Sequence, residues 1–454
     1  MSNILIYAAL TPPYAQAIKY KITASGASIA ASGASIAASH HHRLLSAHYN
    51  ANATQASKAA EFPGARAPFV SDIKFIDENS YDPIPIYRVL DNNGELVDSQ
   101  QEPRLDKDVL LHMYKTMVQL THLDKILYES QRQGRISFYM TNYGEEGIHV
   151  GSAAALSPSD MVFAQYREVG VFLYRGYSVA DIVNQCYGNV EDPGKGKQMP
   201  VHYGSRQLNL VTLSSPLATQ MPQAVGAAYA LKRTPGNQRC VICYFGEGAA
   251  SEGDAHAALN FAATLDCPVI LLCRNNGYAI STPAREQYRG DGVAARAPAL
   301  GVRALRVDGT DALAVHAAVA RARRLALADT RPVLIEAMSY RVGHHSTSDD
   351  STAYRSIEEI EKWSQGESPI NKFKLYLQQK GYWDEDSDKA LQKESRDLVL
   401  RTMQEAEKKK LPHWKEMLED VYSEMTPRLQ KQANEMEEHL KNYGEHYPLD
   451  KYTS

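Results

Sequence analysis

Residues 241–254 read VICYFGEGAASEGD and residues 269–278 read VILLCRNNGY, and together they predict the core of the fold. Each half begins with an apolar run that predicts a buried strand, at Val241–Phe245 and at Val269–Cys273. The segment between them, Asp254–Thr264, predicts a helix. Apolar strands that alternate with helices are typical of a parallel sheet covered on both faces. We therefore expect an α/β protein that binds its ligand where these two strands end.

The turns after the two strands carry the groups that a magnesium site needs. Gly246 and Gly248 permit a tight turn and a close approach of the backbone to a ligand. Glu247 and Asn276 each offer a side-chain oxygen, and Mg²⁺ prefers oxygen ligands together with phosphate oxygens. With the backbone carbonyl of Tyr278 and oxygens of a diphosphate, they would nearly complete an octahedron. The sequence therefore predicts a Mg²⁺–diphosphate site at this edge of the sheet.

Two arginines belong to the same prediction, because Arg274 and Arg167 can each pair with a diphosphate through two hydrogen bonds. The complete pattern, a Gly-Glu-Gly start separated by residues 249–274 from Asn275-Asn276, resembles the signature of thiamine-diphosphate enzymes. That signature commonly has Asp where this chain has Glu247, and the longer side chain keeps the charge. The alternative, two unrelated turns that happen to contain Gly and Asn, would leave this spacing unexplained.

Further strands and helices extend the α/β pattern on both sides of the motif. A long helical periodicity starts at Asp106 and ends at Gly134, and a helix rich in small residues follows Ser214-Ser215-Pro216. The remaining predicted strands are Met161–Ala164, Leu305–Val307 and Val333–Met338, and the remaining predicted helices are Ser178–Cys186 and Ala312–Ala328. These elements predict one α/β domain over residues 106–365, with a helical C-terminal extension over residues 366–454.

The N-terminal part of the chain differs in composition from this domain. Asp and Glu are absent before Glu61, Ser and Ala are abundant, and the heptapeptide ASGASIA occurs at 24–30 and again at 31–37. An acid-poor, Ser-rich leader with scattered basic residues is typical of a mitochondrial transit segment, although a disordered tail of no function has the same composition. We expect a leader over residues 1–60 and an extended arm over residues 61–105.

Composition excludes several classes of protein. The 454 residues carry a formal net charge of -4, which argues against a nucleic-acid-binding surface. The apolar runs are shorter than the ~20 residues that a membrane-spanning helix needs. Cys240 and Cys243 form a C-x-x-C pattern, but residues three apart on a strand point to opposite faces, so one metal ion would not readily bind both.

Other segments of the chain resemble one particular group of thiamine-diphosphate enzymes. The chain is similar, from about residue 62 onward, to the alpha subunits of branched-chain 2-oxo acid dehydrogenases. The segments that carry this resemblance are Arg135–Tyr139, Gln165–Glu168, Gly343–Asp350 and the tail Tyr443–Asp450. The tail and the length of the Ser-rich loop separate it from the pyruvate-specific relatives.

The resemblance implies a fold, a set of ligands and a set of modified residues. The implied fold is the thiamine-diphosphate-binding fold, and the implied catalytic residue is His345, which would transfer protons and assist acyl transfer to a lipoyl group. Thiamine diphosphate is implied to contact Tyr166, Arg167, Ser215, Gly248, Ala249, Arg274 and His345. The implied metal ligands are Glu247, Asn276 and Tyr278 for Mg²⁺, and Ser214, Pro216, Thr219 and Gln220 for a structural K⁺; the implied phosphorylation sites are Ser346 and Ser356.

For the potassium group, the residues by themselves leave two interpretations of equal weight. Hydroxyl, carbonyl and amide oxygens suit a hard cation, but Ser214-Ser215-Pro216 is also an ordinary helix-start pattern. His344 and His345 are similarly ambiguous, since two exposed histidines in a polar loop would have the same sequence.

The resemblance also implies an assembly and a place in the cell. The chain lacks a motif for the glutamate that activates the cofactor, and lacks a second α/β domain, so we expect a beta subunit to supply that glutamate in a heterotetramer of two alpha and two beta chains. The other expected partners are a lipoyl-bearing acyltransferase core and a regulatory kinase and phosphatase, in the mitochondrial matrix. The expected reaction is oxidative decarboxylation of branched-chain 2-oxo acids. The alternatives are a pyruvate-specific alpha subunit and an inactive scaffold, against which intact Glu247, Asn276 and His345 argue.

Overall fold

The computed structural model describes residues 59–453, and its centre is a parallel sheet of six strands. Across the sheet the strands run in the order β3-β9-β10-β6-β5-β4, with β7-β8 and β1-β2 as separate antiparallel pairs. The strands are β1 (Ala59–Phe62), β2 (Ala65–Pro68), β3 (Ile86–Tyr87), β4 (Met161–Phe163), β5 (Val241–Gly246), β6 (Val269–Asn275), β7 (Tyr278–Ala279), β8 (Thr282–Pro283), β9 (Arg303–Asp308) and β10 (Val333–Met338).

Helices connect the parallel strands and cover the sheet, and others continue to the C-terminal end. The helices are α1 (Lys107–Arg132), α2 (Glu146–Ala154), α3 (Val169–Tyr174), α4 (Val179–Tyr187), α5 (Gln220–Lys232), α6 (Gly253–Thr264), α7 (Ala284–Gln287), α8 (Arg296–Ala299), α9 (Ala312–Asp329), α10 (Ile357–Gly366), α11 (Pro369–Gln379), α12 (Glu385–Glu407) and α13 (Pro427–Tyr443). Short 3₁₀ turns lie at Ser99–Gln101, Ala249–Ser251, Ser351–Ala353, Trp414–Leu418, Gly444–His446 and Leu449–Lys451.

The prediction of a parallel α/β sheet is confirmed, and so is each predicted strand of its centre, within two residues at either end. The sequence missed the edge strand β3, which lies inside the segment expected to be an extended arm. Its two residues pair in parallel with Arg306 and Val307 of β9. Two residues are too few to show a periodic pattern, so only the sheet itself reveals this strand.

The two faces of the sheet pack against different hydrophobic clusters, and β5 contributes alternate side chains to each. This alternation confirms that Cys240 and Cys243 point to opposite faces, and both are buried free thiols. The cluster on one face includes Cys240, Ile242 and Tyr244, and the cluster on the other includes Val241, Cys243 and Phe245.

The C-terminal helices pack on the α/β core through α1. The hydroxyl of Tyr114 on α1 donates to Asp388 Oδ1 of α12 at 2.6 Å, and Trp383 contacts the Tyr114 ring edge-on. Trp383 also donates from Nε1 to Asp388 Oδ1 at 3.2 Å, so it helps to join α12 to α1. None of the helices within residues 59–453 is long and apolar enough to cross a membrane.

Among the described residues, 59–75 and 76–453 belong to two separate units. The described part of the first unit contains the β1-β2 hairpin, and the second contains the sheet and the helices. The predicted leader lies almost entirely outside the described residues, and the other predicted domain boundaries stay predictions.

Candidate active site

The turns that follow β5 and β6 meet at the carboxyl edge of the sheet. The backbone N–H of Asn276 lies 3.4 Å from Glu247 Oε2, so the two predicted metal ligands are neighbours. The approach of the two turns is close, because a Cβ added to Gly248 would lie 2.7 Å from the Cβ of Ala279. A larger residue at position 248 would therefore displace Ala279. The predicted close approach of this backbone to a ligand stays a prediction.

Glu247 and Asn276 present oxygen atoms in a buried setting. Glu247 is 1% exposed, and its Oε1 has no hydrogen-bond partner among the described residues. Burial raises the pKa of this carboxyl above its ordinary value, because the charged form loses its hydration. Asn276 Oδ1 accepts a hydrogen bond from Tyr278 N at 3.3 Å and keeps a second lone pair. A buried carboxylate oxygen without a partner is a group that a divalent cation would satisfy.

Arg274, at the end of β6, is clamped between two buried carboxylates. Its Nη1 lies 2.5 Å from Glu145 Oε2, and its Nε lies 2.5 Å from Glu168 Oε1. Burial by itself would lower the pKa of Arg274, but Glu168 and Glu145 outweigh it and hold the pKa above its usual value. The guanidinium is therefore charged and fixed at the strand end, where it was predicted to meet a diphosphate.

Glu145 is the site residue that sequence reasoning missed. It directly precedes α2, is fully buried, and also contacts Asn276 and Arg167. The visible signal is Tyr-Gly-Glu-Glu-Gly at residues 143–147, where two acidic residues stand at the start of a segment of small and apolar residues. Charged residues in such a segment are buried only when they are paired. Two buried acidic residues therefore indicate a buried cationic partner, but the sequence does not identify that partner.

His345 lies beside Arg167 and Arg341, with the Tyr166 ring edge-on to it at 6.1 Å. Its Nδ1 is 3.5 Å from Arg167 Nη2 and 3.4 Å from Arg341 Nη1. Guanidinium groups only donate, so Nδ1 accepts and Nε2 carries the ring proton. Burial and the two guanidiniums lower the pKa of His345 to about 3. The ring is thus neutral near pH 7 and presents an N–H donor.

Polar contacts hold the loop that carries His345. Asp349 Oδ2 accepts from His345 N at 2.8 Å and from the Tyr354 hydroxyl at 2.6 Å, and Arg341 Nη2 donates to the same hydroxyl at 2.7 Å. Arg355 donates to the backbone carbonyls of Arg341 and Gly343. The sequence leaves open whether Arg341 or Asp349 stabilises this loop, and the structure shows that both do.

Arg341 also joins this loop to the turn at Asn276–Tyr278, which is predicted to bind the metal. Its backbone N–H donates to Asn276 O at 3.3 Å, and its Nη1 lies 3.4 Å from Tyr278 O. Tyr278 O is the carbonyl predicted to bind Mg²⁺. The predicted catalytic histidine and the predicted metal ligands therefore belong to one continuous site.

Comparison with known proteins gives the site a family. The family model described as "Dehydrogenase E1 component" matches residues 114–415. The chain belongs to the dehydrogenase E1 component family. This family depends on thiamine diphosphate. That the diphosphate binds at the edge formed by Glu247, Asn276 and Arg274 stays a prediction.

Curated relatives of this E1 component are similar over most of their length. The chain is 58% identical to the mouse and human proteins named "2-oxoisovalerate dehydrogenase subunit alpha, mitochondrial", over 86% of this chain and 88% of each relative. It is 55% identical to the Caenorhabditis elegans protein of that name, over 85% of this chain and 89% of the relative.

The four residues predicted to bind K⁺ lie just before and at the start of α5 in this E1 component. The Thr219 hydroxyl donates to Pro216 O at 3.1 Å, and Gln220 Nε2 donates to Tyr244 O at 3.1 Å. Gln220 Oε1 is buried without a partner among the described residues, while Ser214 is exposed. An unpartnered buried amide oxygen is a group that a hard cation would satisfy. The potassium set stays a prediction.

The alternative interpretation of this segment, a helix start at Ser214-Ser215-Pro216, is wrong. The helix begins at Gln220, because Ala218 adopts a left-handed φ of 63° that interrupts helical geometry after Pro216. Ser215 makes a hydrogen bond instead, between its hydroxyl and His202 Nε2. Its predicted contact with the cofactor is untested.

The two serines predicted to be phosphorylated have different surroundings. The Ser346 hydroxyl accepts a hydrogen bond from Ser348 N at 3.3 Å, within the loop that holds His345. Ser356 is exposed and caps α10, where its hydroxyl accepts from Glu359 N at 3.1 Å. Ser346 is thus next to the site, and Ser356 belongs to the start of a helix.

Proposed function

We propose that this chain is the alpha subunit of the decarboxylating component of a branched-chain 2-oxo acid dehydrogenase complex. Its reaction is the oxidative decarboxylation of acids such as 3-methyl-2-oxobutanoate, with transfer of the acyl group to a lipoyl disulfide. The observation that carries the proposal is 58% identity to 2-oxoisovalerate dehydrogenase alpha subunits over 86% of the chain. Identity of this extent to proteins with that name favours the branched-chain substrate over pyruvate.

In this proposal, different residues of the site bind the metal ions and the diphosphate. Glu247, Asn276 and the carbonyl of Tyr278 would hold Mg²⁺, which would neutralise charge on the diphosphate, and Arg274 and Arg167 would donate hydrogen bonds to the diphosphate. The potassium set orders the segment before α5. When bound, thiamine diphosphate supplies the carbanion and the electron sink for decarboxylation.

His345 acts on the substrate side of the site. Its neutral ring offers Nε2–H to oxygen atoms that gain negative charge, and can exchange a proton with the reacting groups. Arg167 and Arg341 fix the ring through Nδ1, at 3.5 Å and 3.4 Å. Because both guanidiniums oppose protonation of the ring, His345 enters the reaction as a neutral donor.

The proposal includes partners. A beta subunit supplies the glutamate that activates the cofactor, and two alpha and two beta chains assemble around the sites. The assembly docks on a lipoyl-bearing acyltransferase core in the mitochondrial matrix. The word "mitochondrial" in the names of the relatives and the acid-poor leader composition support the location.

A kinase and a phosphatase regulate the site through Ser346 and Ser356 in this proposal. A phosphate adds about -1.5 to -2 charge units. On Ser346 it would stand in the loop next to Asp349 and repel both that carboxylate and an anionic substrate. We expect phospho-Ser346 enzyme to be inactive with a disordered loop. Turnover of the phosphorylated enzyme at the unmodified rate would contradict this role.

Co-expression with a beta subunit tests the function. Decarboxylation of 3-methyl-2-oxobutanoate and of pyruvate is measured with and without Mg²⁺ and thiamine diphosphate. We expect turnover of the branched-chain acid to exceed that of pyruvate and to require both additions. Faster turnover of pyruvate would favour the pyruvate-specific alternative. Calorimetry that detects no cofactor binding by the assembled chains would favour the scaffold.

A further inference from the structure

The buried carboxylate of Glu145 contacts three groups of the candidate site at once. Its Oε2 lies 2.5 Å from Arg274 Nη1, its Oε1 accepts from Asn276 Nδ2 at 2.7 Å, and its Oε1 also lies 3.7 Å from Arg167 Nε. The residue is fully buried, at the point where α2 begins. The chemistry assigned above gives it no task, since it is a candidate ligand for neither the metal nor the cofactor.

The contact with Asn276 decides which atom of that amide faces the metal position. An amide offers one oxygen acceptor and one NH₂ donor, and an ionised carboxylate can only accept. Glu145 therefore holds the NH₂ end of Asn276, which leaves Oδ1 on the other side. There Oδ1 accepts from Tyr278 N at 3.3 Å, so a second contact specifies the same orientation.

Because Glu145 is charged, it can only accept a hydrogen bond, and the Asn276 amide therefore has one possible orientation. The buried carboxyl of Glu145 is paired with two guanidiniums, Arg274 Nη1 at 2.5 Å and Arg167 Nε at 3.7 Å, and a carboxyl buried between such partners is an ionised acceptor. A neutral carboxyl or an amide at position 145 would carry a donor of its own. That donor could turn towards Asn276 and reverse the amide.

We propose that Glu145 is a positioning residue that orients the Asn276 amide, with its oxygen towards Mg²⁺, and at the same time places Arg274 for the diphosphate. This inference deepens the proposed function and rests on it. Groups that orient metal ligands in this way typically change metal affinity about 10- to 100-fold when they are replaced.

The variant Glu145→Gln tests the inference in the assembled alpha–beta complex. Its amide oxygen would keep the contact with Arg274, and its NH₂ would then face Asn276, which must turn Oδ1 away from the metal. We expect the Mg²⁺ concentration for half-maximal thiamine diphosphate binding, measured by calorimetry, to rise by about 10- to 100-fold. An unchanged Mg²⁺ requirement in folded Glu145→Gln would overturn the inference.

A double variant distinguishes orientation of the amide from general support of the fold. In Glu145→Gln/Asn276→Asp, one oxygen of the new aspartate accepts from the Gln NH₂ and the other remains for Mg²⁺. The net charge of the cluster is also restored. We expect the Mg²⁺ requirement to return to within about tenfold of the original, a non-additive recovery that two independent defects would not give. A double variant that does not recover Mg²⁺-dependent binding, folded or not, overturns the inference.

Asp160→Asn is the matched control. Asp160 is likewise fully buried and paired with an arginine, at 2.6 Å from Arg323 Nε, but it lies at the amino end of β4. We expect this variant to lower the unfolding temperature and leave the Mg²⁺ requirement unchanged. A shift as large as that of Glu145→Gln would contradict the specific role. If the unmodified complex binds thiamine diphosphate without any Mg²⁺, the proposed function fails first, and that result is separate from those of the variants.

Discussion

The turns predicted to bind Mg²⁺ and the loop that carries His345 lie side by side but are held in different ways. Glu247 and Asn276 follow directly from strands at the centre of a buried sheet, and they are 1% and 5% exposed. The loop around His345 has no regular structure over residues 343–350, is half-buried, and is held by side-chain hydrogen bonds. Segments with few apolar contacts open at lower free energy than core strands. The difference predicts a rigid metal site next to a catalytic loop that opens locally.

The largest expected effect is a loss of acyl transfer, without a loss of metal affinity, when His345 is replaced. We expect His345→Ala to reduce acyl transfer to lipoyl about 10²- to 10⁴-fold, the usual range for loss of a proton-transfer group. The Mg²⁺ requirement for thiamine diphosphate binding should stay unchanged, because His345 touches none of the metal ligands. The exposed His112 on α1 provides the control variant, His112→Ala. If metal affinity fell in parallel with acyl transfer, the two regions would not be separate.

A smaller effect is expected on the local stability of the loop that carries His345. Asp349→Ala removes the acceptor of both His345 N and the Tyr354 hydroxyl. A hydrogen bond to a charged group contributes about 1.5–3 kcal/mol, so we expect amide hydrogen exchange over residues 343–355 to accelerate at least about tenfold. Exchange in β5 and β6 should not change. Faster exchange in those strands would mean that loop and sheet open together.

The smallest expected effect is on the pH dependence of stability. The pKa of His345 is lowered to about 3 by burial and by Arg167 and Arg341, whereas an unfolded histidine has a pKa near 6.5. Between those values only the unfolded chain binds the proton, so the free energy of unfolding falls as pH falls from about 6.5 towards 3.

The variant His345→Gln should weaken this dependence by at most about 1.4 kcal/mol per pH unit. Urea unfolding of the chain at several pH values between 4 and 6.5 measures it. His149, buried on α2, also has its pKa lowered to about 3 by burial, so part of the dependence should remain. An identical slope in His345→Gln and the unmodified chain would show that the loop is already open before the sheet unfolds.

The sequence predicted the central sheet and the edge at which Glu247 and Asn276 meet because both depend on local patterns. A run of five apolar residues bounded by Gly or Arg-Asn marks a buried strand, and a parallel sheet places successive strand ends at one edge. The proximity of Glu247 and Asn276 follows from those two facts. No long-range contact had to be known.

The residues that sequence reasoning missed depend on contacts between distant segments. Glu145 meets Arg274 and Asn276 across about 130 positions of sequence. Nothing within its own segment says which cation or amide it faces. The strand β3 is hidden for the same reason, since its two residues extend the sheet only through β9. Pairing partners of this kind appear only when the chain is folded.

The alternation along β5 makes the length of this strand critical. Because neighbouring side chains enter opposite clusters, deleting one residue between Val241 and Gly246 would turn every later side chain to the wrong face. The same deletion would draw Glu247 back by about 3.3 Å along the strand. Insertions and deletions should therefore be tolerated in the surface turn before β5, around Pro235 and Gly236, and eliminated from the strand itself.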